Sequence, residues 1–371
     1  MALTVSSLFC GAGGLDLGFE RSGCNVVYAN DIDRDSVETY QKNRPGTASP
    51  NLRDITGEGF NLKSIPSADI LIGGPPCQGF SVAGHMVAAD PRSQLVFTFA
   101  NAVQVIRPRA FVMENVKALA CLTRWSSVRQ SLLRRLAGDR YDVQMFVLNA
   151  SDFGVPQSRE RVFFVGVRRG CGPQISRDSF QRLHRQRTAR DVLAELGPPG
   201  SISNRGPCKA KVTIAKRPVL RKSPYAGMLF NGQGRPINLD LPSNTLPATM
   251  GGNRTPIVDE IALRTKKPNW VEWYHRRLVR DSGNVVRTAP KRLRRITVTE
   301  AALLQGFPDD YVFCGRQSSQ YRQIGNAVPP RLAEAVAEAV INALSCRTAR
   351  ANYGQANAML AARERNAEEE P

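Results

Sequence analysis

Short apolar runs alternate with amphipathic stretches along the first half of the chain. Thr4–Phe9, Asn25–Ala29, Ile70–Ile72, Ala110–Met113, Val143–Leu148 and Val162–Val167 read as strands. Between them, apolar spacing predicts helices over about 16–22, 35–42, 95–106 and 128–136. This alternation predicts an α/β fold, a mostly parallel sheet covered on both faces. The pattern breaks near Cys171-Gly172-Pro173, and residues 197–256 are rich in Gly, Pro, Asn, Arg and Lys. A loop-dominated second domain is expected there. Order returns at Thr297-Val298-Thr299-Glu300, a capping-box pattern that opens a helix through Gln305. A last helix over 330–344 carries Leu332, Val336, Val340 and Leu344 on one stripe. The Ala-rich, charged tail from 347 reads as frayed.

Composition narrows the class. With 371 residues, 42% of them hydrophobic, the chain can bury two cores or one large one. No apolar run approaches a membrane span and no signal pattern opens the chain, so a cytoplasmic protein is expected. Eight cysteines without a CxxC pair, and only three histidines, argue against a zinc site and a disulfide framework. The seven cysteines other than Cys77 read as buried structural residues. The net charge of +19 is concentrated: residues 176–295 hold 25 Lys and Arg against 8 Asp and Glu, a net of +17. A local excess of that size points to a polyanion partner.

Several motifs carry chemistry. In Gly73-Gly74-Pro75-Pro76-Cys77-Gln78-Gly79-Phe80-Ser81 a thiol follows a stiff turn just past a predicted strand. Ligands of open α/β sheets bind at that end of the strands, so Cys77 reads as a nucleophile. Phe9-Cys10-Gly11-Ala12-Gly13-Gly14 joins a strand to a helix, as a ligand loop or as a plain tight turn. Asp16 replaces the third Gly of a dinucleotide fingerprint, and a carboxylate there suits a phosphate-free, cationic cofactor. Asp31 is placed for ribose hydroxyls and Asp54-Ile55 for an adenine. Glu114, after its strand, is either an acid for a ring nitrogen or a surface residue at a helix start. Arg159 and Arg161 alternate onto one side of an extended chain, where they would bind a carbonyl or phosphate. Gln323–Pro330 reads as a tight turn with an amide. Trp270, Trp273 and Tyr274 near Arg276-Arg277 either stack on nucleic acid or fill a small-domain core.

In order and spacing, Phe9–Gly14, Gly74–Ser81, Glu114–Val116, Gln157–Arg161, the Arg294 to Pro308 block and Gly325–Val328 resemble the DNA cytosine-5 methyltransferase family. The resemblance implies a Rossmann-like S-adenosylmethionine-dependent methyltransferase sheet with a smaller, loop-rich target-recognition domain. It implies a catalytic domain over 1–180, target recognition over 181–295, a return to the catalytic domain over 296–346, and a flexible tail over 347–371.

It also implies roles. Cys77 would attack C6 of a flipped-out cytosine. Glu114 would hold the N3/N4 edge and Arg161 would bind O2, with Arg159 supporting the active-site loop or phosphates. S-adenosylmethionine would contact Phe9, Gly11, Gly13, Asp31, Ile32, Asp54, Ile55, Pro76, Leu95 and Asn326. Gln78, Ser81, Thr245 and Leu246 would contact the substrate, and the segment 81–94 would close over it. Ile32 stands where many relatives place an aromatic residue on the adenine. The expected partner is duplex DNA, bound by a monomer near the nucleoid, with a cognate restriction endonuclease as a further partner. The competing readings are a tRNA cytosine methyltransferase and a catalytically silent DNA-binding relative. Cys77, Glu114 and Arg161 argue against the silent relative, and the large basic segment favours DNA over tRNA. Asp16 and the nucleophile motif disfavour a nicotinamide dehydrogenase.

Overall fold

A computed structural model describes residues 2–45, 50–76, 94–183, 185–280, 286 and 288–346. Cys77, Gln78, Ser81, nearly all of the 81–94 segment and the 347–371 tail therefore lie outside the described residues. The first half folds as β1 (Thr4–Leu8), α1 (Gly14–Arg21), β2 (Asn25–Asp31), α2 (Arg34–Lys42), β3 (Asn51–Leu52), β4 (Ile70–Gly73), α3 (Leu95–Ile106), β5 (Ala110–Val116), α4 (Lys117–Cys121), α5 (Ser126–Ala137), β6 (Tyr141–Asn149), β7 (Gln157–Ser158) and β8 (Glu160–Arg168).

Seven of these strands form one sheet in the order β3-β2-β1-β4-β5-β8-β6. β8 runs antiparallel to both β5 and β6, and the remaining pairings are parallel. The expected mostly parallel α/β sheet is thus present. From β1 the chain steps outward to β2 and β3, then crosses back to lay β4 and β5 on the other side. That reversal opens a crevice at the carboxyl ends of β1 and β4.

Alternation along the strands sorts side chains to two cores. Ile70, Ile72, Val112 and Phe163 pack with Phe19 of α1 and with Leu332, Val336, Val340 and Leu344 of a helix over 330–346. The predicted stripe is buried along its length. On the other face Leu71, Phe111 and Phe164 pack against Phe99 and Val103 of α3 and Leu132 and Leu136 of α5.

The second half is built from short pieces: α6 (Arg190–Leu193), β9 (Ile214–Val219), β10 (Met228–Phe230), β11 (Ser243–Asn244), β12 (Ile257–Asp259), α7 (Glu260–Thr265), α8 (Trp270–Arg280), β13 (Leu293–Arg295), α9 (Val298–Gln305), α10 (Gln317–Asn326) and α11 (330–346). One core joins Leu193, Leu239, Leu246 and Leu263 to Leu304, Tyr321 and Ile324. A smaller core holds Leu229, Phe230, Val271, Tyr274 and Leu293. The capping box at α9 forms as expected, with Thr297 and Glu300 each bonding the other's backbone N–H.

Three expectations need correction. β5 does not end at Met113, because β8 continues to pair with it through Val116 after β4 has stopped. Gln323–Asn326 is the last turn of α10 and not a tight turn. Of the cysteines expected to be buried, Cys121 and Cys346 are exposed and Cys208 and Cys314 are half-buried. No helix among the described residues is long and apolar enough to cross a membrane.

Gly18 of α1 touches α11 directly: a Cβ there would lie 2.4 Å from Ala333 Cβ and 2.5 Å from Glu334 N. Gly18→Ala should gain about 1 kcal/mol of helix propensity and lose about 1–3 kcal/mol by forcing the helices apart. A lowered urea midpoint is expected; a raised one would show that the contact yields.

Candidate active site

The crevice is lined first by the turn after β1. Phe9, Gly11 and Gly13 all adopt positive φ, at 55°, 53° and 79°. Gly13 is required twice over. Its left-handed backbone disfavours a side chain, and a Cβ would lie 2.6 Å from Arg44 Nη1 and 2.9 Å from Tyr40 Cδ2. The loop is held from behind by residues that the sequence motifs did not single out. Arg44 Nη2 donates to Gly13 O at 3.0 Å, Arg44 Nη1 to Tyr311 Oη at 3.1 Å, and the Tyr311 hydroxyl donates to Ala12 O. Arg44 also pairs with Glu20 at 2.8 Å and lies over the Tyr40 ring at 4.0 Å. Arg44 follows the end of α2 in an Asn-Arg-Pro sequence that reads as solvent-facing, so nothing local marks it.

Asp16 belongs to this support and not to the crevice, which corrects its reading as the partner of a cationic cofactor. It is fully buried and accepts from the Tyr40 hydroxyl at 3.0 Å. Burial pushes its carboxyl up to about 6, against the lowering pull of Arg44. Its place in the first turn of α1 also puts the carboxylate at the positive end of the helix.

Asp31 ends β2 beside the loop. One carboxylate oxygen accepts from Gly11 N at 2.7 Å and the other from Asp33 N at 2.8 Å. Burial raises its pKa, and these backbone N–H groups offset part of the rise. The next side chain, Ile32, is 66% exposed. Asp54 is exposed, and hydrogen bonds from the Thr56 hydroxyl and N–H hold its carboxyl below the usual range, whereas Ile55 is buried. Leu95 opens α3. Pro75 is buried and Pro76 exposed just past β4. Asn115 Nδ2 donates to Pro75 O at 3.1 Å and so ties that turn to β5.

Glu114 lies inside β5, 8% exposed, and not on an open helix start. Arg161 stands opposite Val116 in the antiparallel register, which makes it the diagonal neighbour of Glu114. Arg161 Nε meets Glu114 Oε1 at 2.9 Å. Burial raises the Glu114 pKa, while Arg161 and Arg159 draw it back. A Cβ on Gly74 would lie 3.3 Å from Glu114 Oε2, so the turn after β4 abuts this carboxylate.

Arg159 does not share that face. It lies between β7 and β8, wholly buried, and donates to Leu246 O at 3.2 Å and Gly325 O at 2.7 Å. A guanidinium so enclosed cannot bind phosphates, so of its expected roles only support remains. Gln157 beside it accepts from Leu246 N at 2.9 Å and donates to Leu304 O and to Gln305 Oε1. Leu246 is buried, while Thr245 is exposed and donates to Ser158 O at 2.8 Å. Asn326 is exposed at the end of α10. The following residues reach the β1 turn, since a Cβ on Gly14 would lie 2.3 Å from Val328 O. Among the described residues no group of three or more His, Cys, Asp or Glu is placed to hold a metal.

The model of the C-5 cytosine-specific DNA methylases matches residues 3–342, and the chain belongs to that family. It is 33% identical to the type II methyltransferase M1.HphI of Haemophilus parahaemolyticus, over 92% of this chain and 87% of that one. It is 32% identical to M.MthTI of Methanothermobacter thermautotrophicus, over 92% and 97%. Among solved structures, a candidate DNA modification methyltransferase encoded within an E. coli prophage superposes with a TM-score of 0.65 at 26% identity, covering 93% of this chain and all of that one. The S. pombe Dnmt2 methyltransferase shares the fold, with a TM-score of 0.61 at 19% identity over 93% and 99%. The fold is that of S-adenosylmethionine-dependent methyltransferases, and the chain is a methyltransferase.

The raised Asp16 pKa makes a testable statement. Below its ordinary value near 3.8 the group is protonated folded and unfolded alike; above about 6 it is ionised in both. Between the two the folded state holds the extra proton, so wild-type stability falls as pH rises, by on the order of 3 kcal/mol. Urea unfolding from about pH 4 to pH 7 should show Asp16→Asn gaining on the wild type across that window. A constant difference would mean that Asp16 ionises freely.

Proposed function

We propose that the chain methylates C5 of a cytosine flipped out of a specific duplex sequence, as the modification enzyme of a restriction system. The observation that carries this is the buried Glu114–Arg161 pair beside the turn that leads to Cys77. A cytosine presents a ring nitrogen and an amino group along one edge and a carbonyl O2 beyond. A carboxyl group flanked by a guanidinium matches that sequence of partners. Because burial raises the Glu114 pKa, the carboxyl more readily holds a proton against N3 and makes C6 electrophilic. The Cys77 thiolate then adds to C6, and C5 becomes the nucleophile that takes the methyl group. Loss of the C5 proton expels the thiolate and restores the aromatic ring.

S-adenosylmethionine supplies the electrophilic methyl group. The crevice suits it: Gly11 has no atom within 4 Å of a would-be Cβ, and Ile32 offers exposed apolar surface to a flat ring. Phe9, Gly11, Gly13, Asp31, Ile32, Asp54, Ile55, Pro76, Leu95 and Asn326 would surround it, with Asp31 toward the ribose. Gln78, Ser81 and Thr245 would lie toward the DNA, whereas Leu246 is buried with its backbone N–H and C=O taken by Gln157 and Arg159, which corrects its reading as a substrate contact. The division into residues 1–180, 181–295 and 296–346 fits this reading, with the +17 segment on the DNA side. The identities with type II methyltransferases support DNA as the substrate.

The test is transfer of labelled methyl from S-adenosylmethionine to mixed-sequence duplex DNA. Incorporation is expected. Cys77→Ser should abolish turnover with DNA binding retained, and Glu114→Gln should lower kcat about 10²–10⁴-fold. The proton on Glu114 is lost as pH rises through its raised pKa, so the basic limb of the wild-type profile should disappear in Glu114→Gln. No incorporation while cofactor binds would refute the reading.

A further inference from the structure

Helix α8 divides its aromatic and basic residues between two faces. Its inner face is fixed: Val271 and Tyr274 are fully buried, Trp270 stacks on Tyr274 with ring centroids 4.8 Å apart, and His275 Nε2 meets Arg221 O at 2.8 Å. Its start is pinned by Trp270 N donating to Asp259 Oδ2 at 2.8 Å. The one carboxylate of the helix, Glu272, accepts from the Tyr225 hydroxyl at 2.7 Å. Outside lie Trp273, Arg276, Arg277, Val279 and Arg280, all exposed, and the first three share a face with Arg280. The spacing of i, i+3, i+4 and i+7 places these four on a single stripe.

The stripe is more than a solvated charge run. Trp273 is 40% exposed, and the Arg277 guanidinium lies 5.5 Å from its ring centroid. Among the described residues, Asp259 pairs with Arg292 at 2.7 Å, and Glu260 with Arg264 and Arg294 at 2.9 and 2.6 Å. The contact between His275 and Arg221 also brings Arg221-Lys222, both exposed, alongside the helix. Guanidiniums with an aromatic ring beside them suit phosphate oxygens and sugar or base surface.

We infer that the Trp273–Arg276–Arg277–Arg280 face of α8 grips the backbone of the duplex outside the methylated base. This inference rests on the proposed DNA methylation. Phosphate contacts position a duplex without reading its sequence. They also make binding salt-dependent, since each displaces condensed counterions and adds about 0.9 to the slope of log K against log salt.

The experiment measures binding of a labelled mixed-sequence duplex across a fourfold range of salt, with methyl transfer assayed in parallel. The triple variant Arg276→Gln, Arg277→Gln, Arg280→Gln should lose about 2.7 from the slope, so the wild type weakens about 40-fold more over that range. The triple Lys variant should keep the slope, because an ammonium also neutralises a phosphate. Trp273→Ala should weaken binding with the slope unchanged. S-adenosylmethionine should bind the Gln variant as it binds the wild type, which separates lost contacts from a lost fold. A Gln variant with the wild-type slope, while the wild type methylates DNA, overturns the α8 assignment and leaves the function standing. A wild type that binds DNA through this face without transferring methyl contradicts the function and leaves α8 standing. RNA bound as tightly as the duplex, with the same loss of slope, overturns the assignment to DNA.

Discussion

The site depends on one buried polar clasp. Arg159 and Gln157 sit without solvent where the sheet, the 243–246 segment and the ends of α9 and α10 meet. Between them they satisfy Leu246 N, Leu246 O, Gly325 O and Leu304 O. Removing a buried partner leaves such groups unpaired, which costs more than the bond itself contributes. A guanidinium is suited to this place because its planar fork reaches two carbonyls at once and never loses its charge. Arg161 follows two residues later, Thr245 rests on Ser158 O, and Asn326 follows Gly325. The groups proposed to meet the base, the DNA and the cofactor thus share one rigid frame.

Behind the loop after β1 a second polar cluster does similar work. Arg44 balances Glu20 and Asp16, and through Tyr311 and its own Nη2 it fixes the carbonyls of Ala12 and Gly13. The loop's left-handed residues store conformational strain, on the order of 1 kcal/mol at Phe9, and this backing holds them there. The two buried acids differ accordingly. Asp16 is enclosed to support a backbone, whereas Glu114 is enclosed beside the turn that leads to Cys77, the proposed nucleophile.

Local pattern reveals only part of this arrangement. The strands, α3 and the α11 stripe were legible because burial on one or two faces writes its period directly into the chain. The capping box of α9 was legible because its two partners are three residues apart. The sequence misplaces Glu114 because the length of β5 depends on pairing with β8, about 50 residues away. Arg159 and Arg161 alternate as strand residues do, yet the break between β7 and β8 sends one into the core and the other to Glu114. Asp16 reads as a ligand residue in the sequence because its partners, Tyr40 and Arg44, come from another helix and the residues after it. The Trp270–Tyr274 group contained both of its readings: Trp270 and Tyr274 are core, and Trp273 faces outward.

If these groups act together on cytosine in duplex DNA, the chain should mark the DNA of cells that otherwise lack methylation. Bisulfite sequencing of DNA from such cells expressing the chain should find 5-methylcytosine at one fixed position of a recurring short duplex sequence. DNA without 5-methylcytosine, from cells in which the chain is folded and binds S-adenosylmethionine, would contradict the proposed function.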